Sequence, residues 1–385
     1  MGEEKDKYAQ DGVSVEEGDK FSDFAAKLCR TTYENSQYIA IRDFSQEHFR
    51  GPRGFQLRNL PLDCWIDMAP DGKGTKPVLV DAAGNYEHAA RGLVAMVAGD
   101  ITRWGGLPLV LVNNLDTGSI GKEGDRVNRA FRTMLISLKN IADEQGFVMF
   151  KGETAELGNC IYFENKNALT RFLWSAVMLG VYLPRTIITG NEIQAGMIIM
   201  ALRDPGFGNN GLSTTRAALS MHFGPDFYSL PEAQEAIKLA ATPTTLYDKF
   251  LTTANGWFNY RFEPLIPVKL IVHVTGGAIG SKLAKDILFP RGLSAKLNGL
   301  WEPSPIMKDC AKWRGLTDRE CYKYWHGGQR VLVVIEERDV LDFLDLASSH
   351  GIDAKVAGEI TKEMFPKVTI VSKFSGDIIE FTPND

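Results

Sequence analysis

Apolar residues recur along this chain with two kinds of spacing, every third or fourth position and short unbroken runs, and their alternation predicts helices and strands in turn. Phe21 to Cys29 has helical spacing, and Cys64 to Met68 reads as a strand leading into the loop Asp71-Gly72-Lys73-Gly74-Thr75-Lys76. Pro77-Val78-Leu79-Val80 is a second short apolar run. From Glu87 onward Ala90, Leu93, Val97, Ile101 and Trp104 share a helical face, which Gly105-Gly106 ends. Leu109 to Val112 predicts a strand. Asp125 is the N-cap of a helix carrying Val127, Phe131, Met134, Leu138 and Ile141 on one face, with its stop at Gly146. Phe147 to Phe150 then forms a strand that opens into Gly152-Glu153-Thr154-Ala155-Glu156. The longest apolar run, Phe172 to Leu183, contains Ser175 and Gly180, falls short of the roughly 18 residues of a membrane helix, and reads as a buried strand.

The polar stretch Thr189-Gly190-Asn191-Glu192 marks a boundary, giving expected domains 1–188 and 189–385. Beyond it the pattern resumes with a strand at Met197 to Leu202, a Gly/Asn loop at Gly206 to Gly211 and a helix from Ser213. Next come a strand at Lys269 to Val274, Gly276-Gly277 and a helix from Ser281. Strands at Val331 to Ile335, Ala354 to Ile360 and Val368 to Ser372 follow, with a helix at Val340 to Ser348. The expected fold class is α+β, mixed α/β, with helices packed on mixed sheets. The segment Arg50-Gly51-Pro52-Arg53-Gly54-Phe55 has no period and is expected to be a mobile loop.

Composition narrows the picture. A length of 385 residues exceeds one ordinary core, and 44% hydrophobic with 24% charged residues is a globular balance. A net charge of -5 and a pI near 5.8 give no basic footprint for nucleic acid. Met1 to Lys20 is half charged, unlike a signal peptide, so a cytoplasmic protein is expected, with no membrane partner. The five cysteines include no Cys-x-x-Cys pair, and neither a disulfide framework nor a zinc site is indicated.

The candidate chemistry is acidic and glycine-rich. Asp100 shares a helical face with Leu93, Val97 and Trp104, which predicts burial, and a buried carboxylate is costly unless paired or metal-bound. The Asp71 loop combines a carboxylate, the glycines Gly72 and Gly74, the hydroxyl of Thr75 and the ammonium of Lys76, a set suited to a magnesium-bound nucleotide. It is not a Walker A loop. Glu153 and Glu156 at a third element end raise the expectation that the acids converge on metal. In the second half, Asn210-Gly211 leads into a helix opening with Ser213, a place for an anion. His273, beside Thr275 and Gly276, reads as either a core histidine or a proton-handling group.

Jointly and in order, these motifs resemble the aminoimidazole ribonucleotide (AIR) synthases, the phosphoribosylformylglycinamidine cyclo-ligases of purine synthesis. The resemblance rests on Tyr8-Ala9-Gln10-Asp11-Gly12-Val13, the Asp71 to Lys76 loop, Leu93-Val94-Ala95-Met96, Gly152 to Glu156, Asn210-Gly211, Thr242-Pro243-Thr244, His273 to Gly277 and Val356 to Ile360. It implies a homodimer whose N-terminal domains pair into a shared β-barrel, and ATP-dependent cyclisation of formylglycinamidine ribonucleotide to aminoimidazole ribonucleotide. It assigns catalysis to Asp71, Lys76, Asp100 and His273, and magnesium to Asp71, Asp100 and Glu153. It gives ATP to Asp71, Gly72, Gly74, Thr75, Lys76, Asp100, Gly152, Glu153 and Thr154. It gives the phosphorylated ribonucleotide to Asn210, Gly211, Ser213, His273, Thr275 and Gly276, and makes Arg50 to Leu57 a flap over the nucleotide.

The chain departs from that pattern at Arg53, Gln56 and Lys151, which replace glycines, at Lys73 for valine, Gly99 for asparagine, Gly208 for histidine, Ser119 for lysine and Trp325-His326 for Asn-Cys. The alternatives are another ATP-dependent phosphotransferase of the same superfamily or a non-catalytic paralogue that binds nucleotide.

Overall fold

A computed structural model describes residues 14–45 and 51–385. The opening motif Tyr8 to Val13 and the start of the expected flap, at Arg50, lie outside these residues.

Helix α1 (Val15–Thr31) begins at Ser14, whose hydroxyl accepts from the Glu17 amide, and is followed by a hairpin of β1 (Ile39–Asp43) and β2 (Arg53–Leu57). From Arg53 onward the expected loop is therefore a strand. Arg53 pairs with Asp43 and Phe55 with Ile41, and the apolar Phe55 ring meets Phe150 edge-on, so packing across the hairpin overrides the turn-forming residues.

A four-stranded sheet follows, built from β3 (Trp65–Gly72), β4 (Leu107–Thr117), β5 (Val148–Glu156) and β6 (Phe172–Tyr182) in the order β3-β6-β4-β5. β4 and β5 run parallel, the other pairs antiparallel. Helices α2 (Lys76–Ala83), α3 (Ala89–Thr102) and α4 (Arg126–Gln145) belong to the same half. α4 starts at Asp125, which accepts from the Asn128 amide, and stops at left-handed Gly146, as its sequence predicts. Pro77 to Val80 is helical instead of extended. Its proline sits in the first turn, where a missing N–H costs nothing, and the run is buried on all sides. Gly152 to Glu156 lies inside β5, not beyond it.

One face of this sheet carries Ala69, Trp174, Ala176 and Met178 in the largest apolar cluster, with Leu93 and Val97 of α3. On the other face Ile66 is 57% exposed, Met68 61% and Leu173 51%. β6 is thus buried on alternate residues toward its start, and only its end is covered on both sides.

The second half is a seven-stranded sheet that includes β9 (Ser294–Leu297), β11 (Ala354–Thr361), β12 (Val368–Val371) and β13 (Ile378–Phe381); its order is β13-β12-β9-β11-β7-β10-β8, with one parallel pair, β9–β12. The strands that bear on the site are β7 (Ile198–Arg203), β8 (Leu270–His273) and β10 (Gln329–Ile335); helix α5 (Leu212–Phe223) follows the loop after β7. The expected helix from Ser281 is a π-helical stretch, Gly280–Leu288. The two sheets separate between Tyr182 and Ile198, whereas the apolar cluster of α3 continues through Phe207, Leu212 and Trp325.

Candidate functional site

Asp71 lies near the end of β3, paired in register with Ala176, which puts its side chain on the helix-covered face; its Oδ1 accepts from the Gly72 amide at 2.6 Å. Asp67, four residues back, shares that face, and its carboxylate accepts from the Tyr182 hydroxyl at 3.2 Å. Asp100, in the last turn of α3, completes the group. Partial burial raises its carboxyl above the usual range, Arg103 opposes this, and the charges of Asp71 and Asp67 add to the rise. The expected burial of Asp100 is corrected, because its side chain is 40% exposed, with Arg103 3.5 Å away. Periodicity places it on the apolar stripe, but the stripe runs off the edge of the packed face at the helix end.

Glu153 does not join these acids. It pairs with Asn114, and the register row Glu153, Asn114, Ser175, Gly72 is adjacent to the row holding Asp71, so the two carboxylates point to opposite faces. β3 and β5 are also the two edges of the sheet, three strand spacings or about 14 Å apart. The expected convergence of Asp71, Asp100 and Glu153 therefore fails, and no group of three or more acids, cysteines and histidines suited to a metal forms among the described residues.

Glu153 instead lines a cavity of about 640 Å³ with Gly152 and Thr154, between the free edge of β5, helix α1 and the β1–β2 hairpin. Ala26, Leu28, Leu135 and Met149 supply an apolar wall, and Asn113, Arg30, Arg53 and Lys151 supply polar groups. The lining is about half polar and half apolar, with Asp23 a second acid in it, and a chamber of this size has the dimensions of a small-ligand site.

A third cluster joins the two halves. Lys76 is buried, and its ammonium donates to the Gly208 and Thr242 carbonyls and the Thr244 hydroxyl at 2.8, 3.1 and 3.1 Å. Burial lowers its pKa to about 8, with Asp204 opposing. Arg330 is 3% exposed and donates to the Ala95 carbonyl at 2.7 Å and the Thr245 carbonyl at 3.4 Å. Asn209 donates to the Gly92 carbonyl at 2.6 Å. Helix α3 receives these groups along the stripe Gly92, Ala95, Gly99. A Cβ on Gly92 would stand 2.4 Å from Asn209, and one on Gly99 would stand 2.3 Å from the His273 ring. His273 is thus a buried wedge against Gly99, held neutral because burial and then Arg330 and Arg103 lower its pKa.

The remaining expected residues serve the same loops. Gly74 and Gly211 have positive φ, and the Gly211 carbonyl accepts from the Trp325 indole at 3.2 Å. Ser213 is exposed and Asn210 half-buried, while Gly276 borders open space. Lys73 is buried, and its ammonium donates to the Ala89 carbonyl.

Sequence reasoning missed Asp67, Asp204 and Arg330. Alternation along β3 contained a signal for Asp67, two residues apart from Ala69 and four from Asp71 on one face. Nothing local distinguished Arg330, an arginine at the head of an apolar strand.

No family model matches the chain. It is 24% identical over 358 residues to the phosphoribosylformylglycinamidine cyclo-ligase of Alkaliphilus oremlandii, covering 92% of this chain and 97% of the relative. The enzyme of the same name from Thermodesulfovibrio yellowstonii is 26% identical over 373 residues, covering 94% and 98%. Among solved structures, thiamine-monophosphate kinase from Stenotrophomonas maltophilia superposes with a TM-score of 0.59 at 13% identity, over 92% of this chain and 96% of that one. The E. coli hydrogenase maturation protein HypE gives 0.53 at 14%, over 93% and 95%. T. maritima PurL in complex with FGAR gives 0.51 at 13%, over 83% of this chain and 45% of that one. The fold is that of the AIR-synthase-like proteins, a mixed α+β arrangement, and the four-stranded sheet is open within one chain.

Proposed function

We propose that this chain catalyses the ATP-dependent cyclisation of formylglycinamidine ribonucleotide to aminoimidazole ribonucleotide, with release of ADP and phosphate. The observation that carries the reading is the meeting of Asp71 and Asp100, acids distant in sequence that the fold brings within electrostatic reach at the end of β3. The similarity to the cyclo-ligases spans 92% of the chain in one relative and 94% in another, so it covers both halves of the site.

The donor set fits magnesium, which takes one or two protein carboxylates and completes its shell with water and phosphate oxygens. Asp71 and Asp100 would hold it. When bound, magnesium spreads the charge of the transferring phosphoryl group. Arg103 beside Asp100 keeps that carboxylate ionised against the push of its acidic neighbours. Lys76 fixes the loop after β3 to Gly208 and Thr242, so the acid-bearing strand end and the expected substrate loop move as one body. The amide oxygen of the substrate attacks the γ-phosphorus, ADP leaves, and attack by an internal nitrogen on the activated carbon closes the ring and expels phosphate. The proton lost from the ring nitrogen passes to solvent or phosphate.

We further infer a homodimer through the open sheet face, supported by the exposed Ile66, Met68 and Leu173. Light scattering of the purified chain at the mass of one copy refutes it.

A second reading, phosphoryl transfer to another small acceptor, is favoured by Gly208 and Trp325-His326, which alter the expected substrate loop, and by the fold likeness to a kinase. Incubation with ATP, magnesium and formylglycinamidine ribonucleotide separates the two. Formation of aminoimidazole ribonucleotide in step with ADP supports cyclisation. ATP stabilisation against heat without that product supports the second reading, and the absence of both refutes each.

A further inference from the structure

We propose that the seam between the two halves holds a small inorganic anion of halide size, bound under the Gly206 to Gly211 loop by His326 and Arg330. The proposal is independent of the reaction above and concerns two positions, Gly208 and His326, at which this chain departs from the resembled pattern.

The imidazole of His326 is 3% exposed, and its Nδ1 accepts from the Gly328 amide at 3.1 Å. Burial lowers its pKa to about 4 against the charge of Asp204, and Arg330 and Lys76 add to the fall, so the ring is neutral. With Nδ1 accepting, the proton of a neutral ring sits on Nε2, which finds no acceptor. Arg330, at the head of β10, is in the same condition. Its two terminal nitrogens donate to the Ala95 and Thr245 carbonyls, and its Nε has no partner. Gly208 relates the two. A Cβ built there would lie 3.7 Å from Arg330 Nε and 3.8 Å from His326 Nε2, so both unused donors face its bare α-carbon. Buried donors left without an acceptor are costly.

Charge points the same way. The hydrogen-bond partners of Lys76 and Arg330 are all neutral oxygens, and no carboxylate stands within ion-pair distance of either among the described residues. Asp204 spends its oxygens on the Gly206 and Thr245 amides at 3.0 and 3.4 Å, and Asp248 accepts from the Thr102 hydroxyl, so both acids act on these cations only at longer range. Buried cations in this state call for a counter-charge in contact. A water would accept from both donors but bring no charge, whereas a halide accepts from both and brings it. The ligand is small because the place is closed: Gly208, His326 and Arg330 are buried, and the rings of Phe207 and Trp325 meet edge-on 5.3 Å apart beside them. The anion ties the loop to Arg330, which itself holds α3 through Ala95, so its occupancy strengthens the contact of the two halves.

The test is thermal unfolding of the full chain as gluconate is replaced by bromide at constant ionic strength, with a parallel phosphate titration and anomalous diffraction from wild-type crystals grown in bromide. The wild-type Tm is expected to rise by roughly 2–5 °C along a saturating curve in bromide. An anomalous peak is expected in contact with Arg330 Nε and His326 Nε2. His326→Phe keeps a ring and removes the donor, and should flatten the response. Gly208→Asp, tolerable at a φ of 57–61° for a short polar side chain, brings a carboxylate of its own to the donors and should be as stable without bromide as with it. A wild-type Tm indifferent to bromide, with no anomalous peak, overturns the proposal and assigns the donors to water. Stabilisation by phosphate but not by bromide overturns it too, as does an equal bromide response in the wild type and both variants, since the anion then binds elsewhere. The peak is read on the wild type, so a variant that fails to fold leaves the test standing.

Discussion

The acids at the end of β3 and the cations between the two halves are built on opposite plans. Asp100 is 40% exposed and its nearest cation is 3.5 Å away, so its charge is held loosely and stays open to an incoming group. Lys76, by contrast, is buried with three acceptors at 2.8 to 3.1 Å, and Arg330 reaches two carbonyls. The first arrangement leaves coordination capacity unused; the second spends it on the backbone of the other half. Charge alone therefore does not mark a reacting group. What marks it here is charge with its hydrogen-bonding capacity still available.

This contrast breaks most easily at Asp71. Asp71→Asn keeps the size of the side chain and removes its charge, so turnover of ATP with formylglycinamidine ribonucleotide is expected to fall on the order of 100-fold or more, with the melting temperature almost unchanged. A large fall in melting temperature with activity retained would reverse the roles assigned to the two regions.

Lys76→Met should do the opposite at first sight. It leaves the Gly208 and Thr242 carbonyls buried without a donor and is expected to cost about 2–4 kcal/mol in urea unfolding, with activity lost only through unfolding. Persistence of full stability would mean that Lys76 is free to serve a ligand.

Asp248 sharpens the same comparison through pH. Burial raises its pKa to about 6, against the lowering effects of the Thr102 hydroxyl 2.8 Å away and of Arg330. The folded state therefore binds this proton more tightly than the unfolded chain does. Its stabilising contribution is fully present below the ordinary aspartate value of 3.8 and is lost as pH rises through about 6. Asp248→Asn removes that slope and is expected to be more stable than the wild type at neutral pH by on the order of 2 kcal/mol. Parallel urea titrations at acid and neutral pH measure it; equal slopes in both proteins refute it.

The smallest effect is expected at the contact of α3 with β8. Gly99→Ala places a methyl 2.3 Å from the His273 ring and should destabilise by about 1–2 kcal/mol. Adding His273→Ala should recover part of the loss, and strict additivity of the two changes would show that the ring and the glycine do not pack as described.

Much of the candidate site was legible because its residues sit where local pattern is strong. The Asp125 cap, the Gly146 stop and the apolar stripe of α3 define their elements from the sequence alone, since capping, left-handed φ and helical periodicity involve near neighbours. Asp71 at a strand end was visible for the same reason. The segment around Arg53 was misread because its Gly and Pro signal is local, while its pairing with β1 is not.

What the sequence by itself determined is therefore the identity and order of most elements and which residues terminate them. Only the tertiary structure decided that Asp67 joins Asp71 and Asp100, that Glu153 stands with Lys151 on the far edge of the sheet, and that Lys76 is spent on Gly208 and Thr242. The physical reason is that strand order, register parity and the meeting of two halves are set by contacts between residues remote in sequence, whose partners no local spacing encodes.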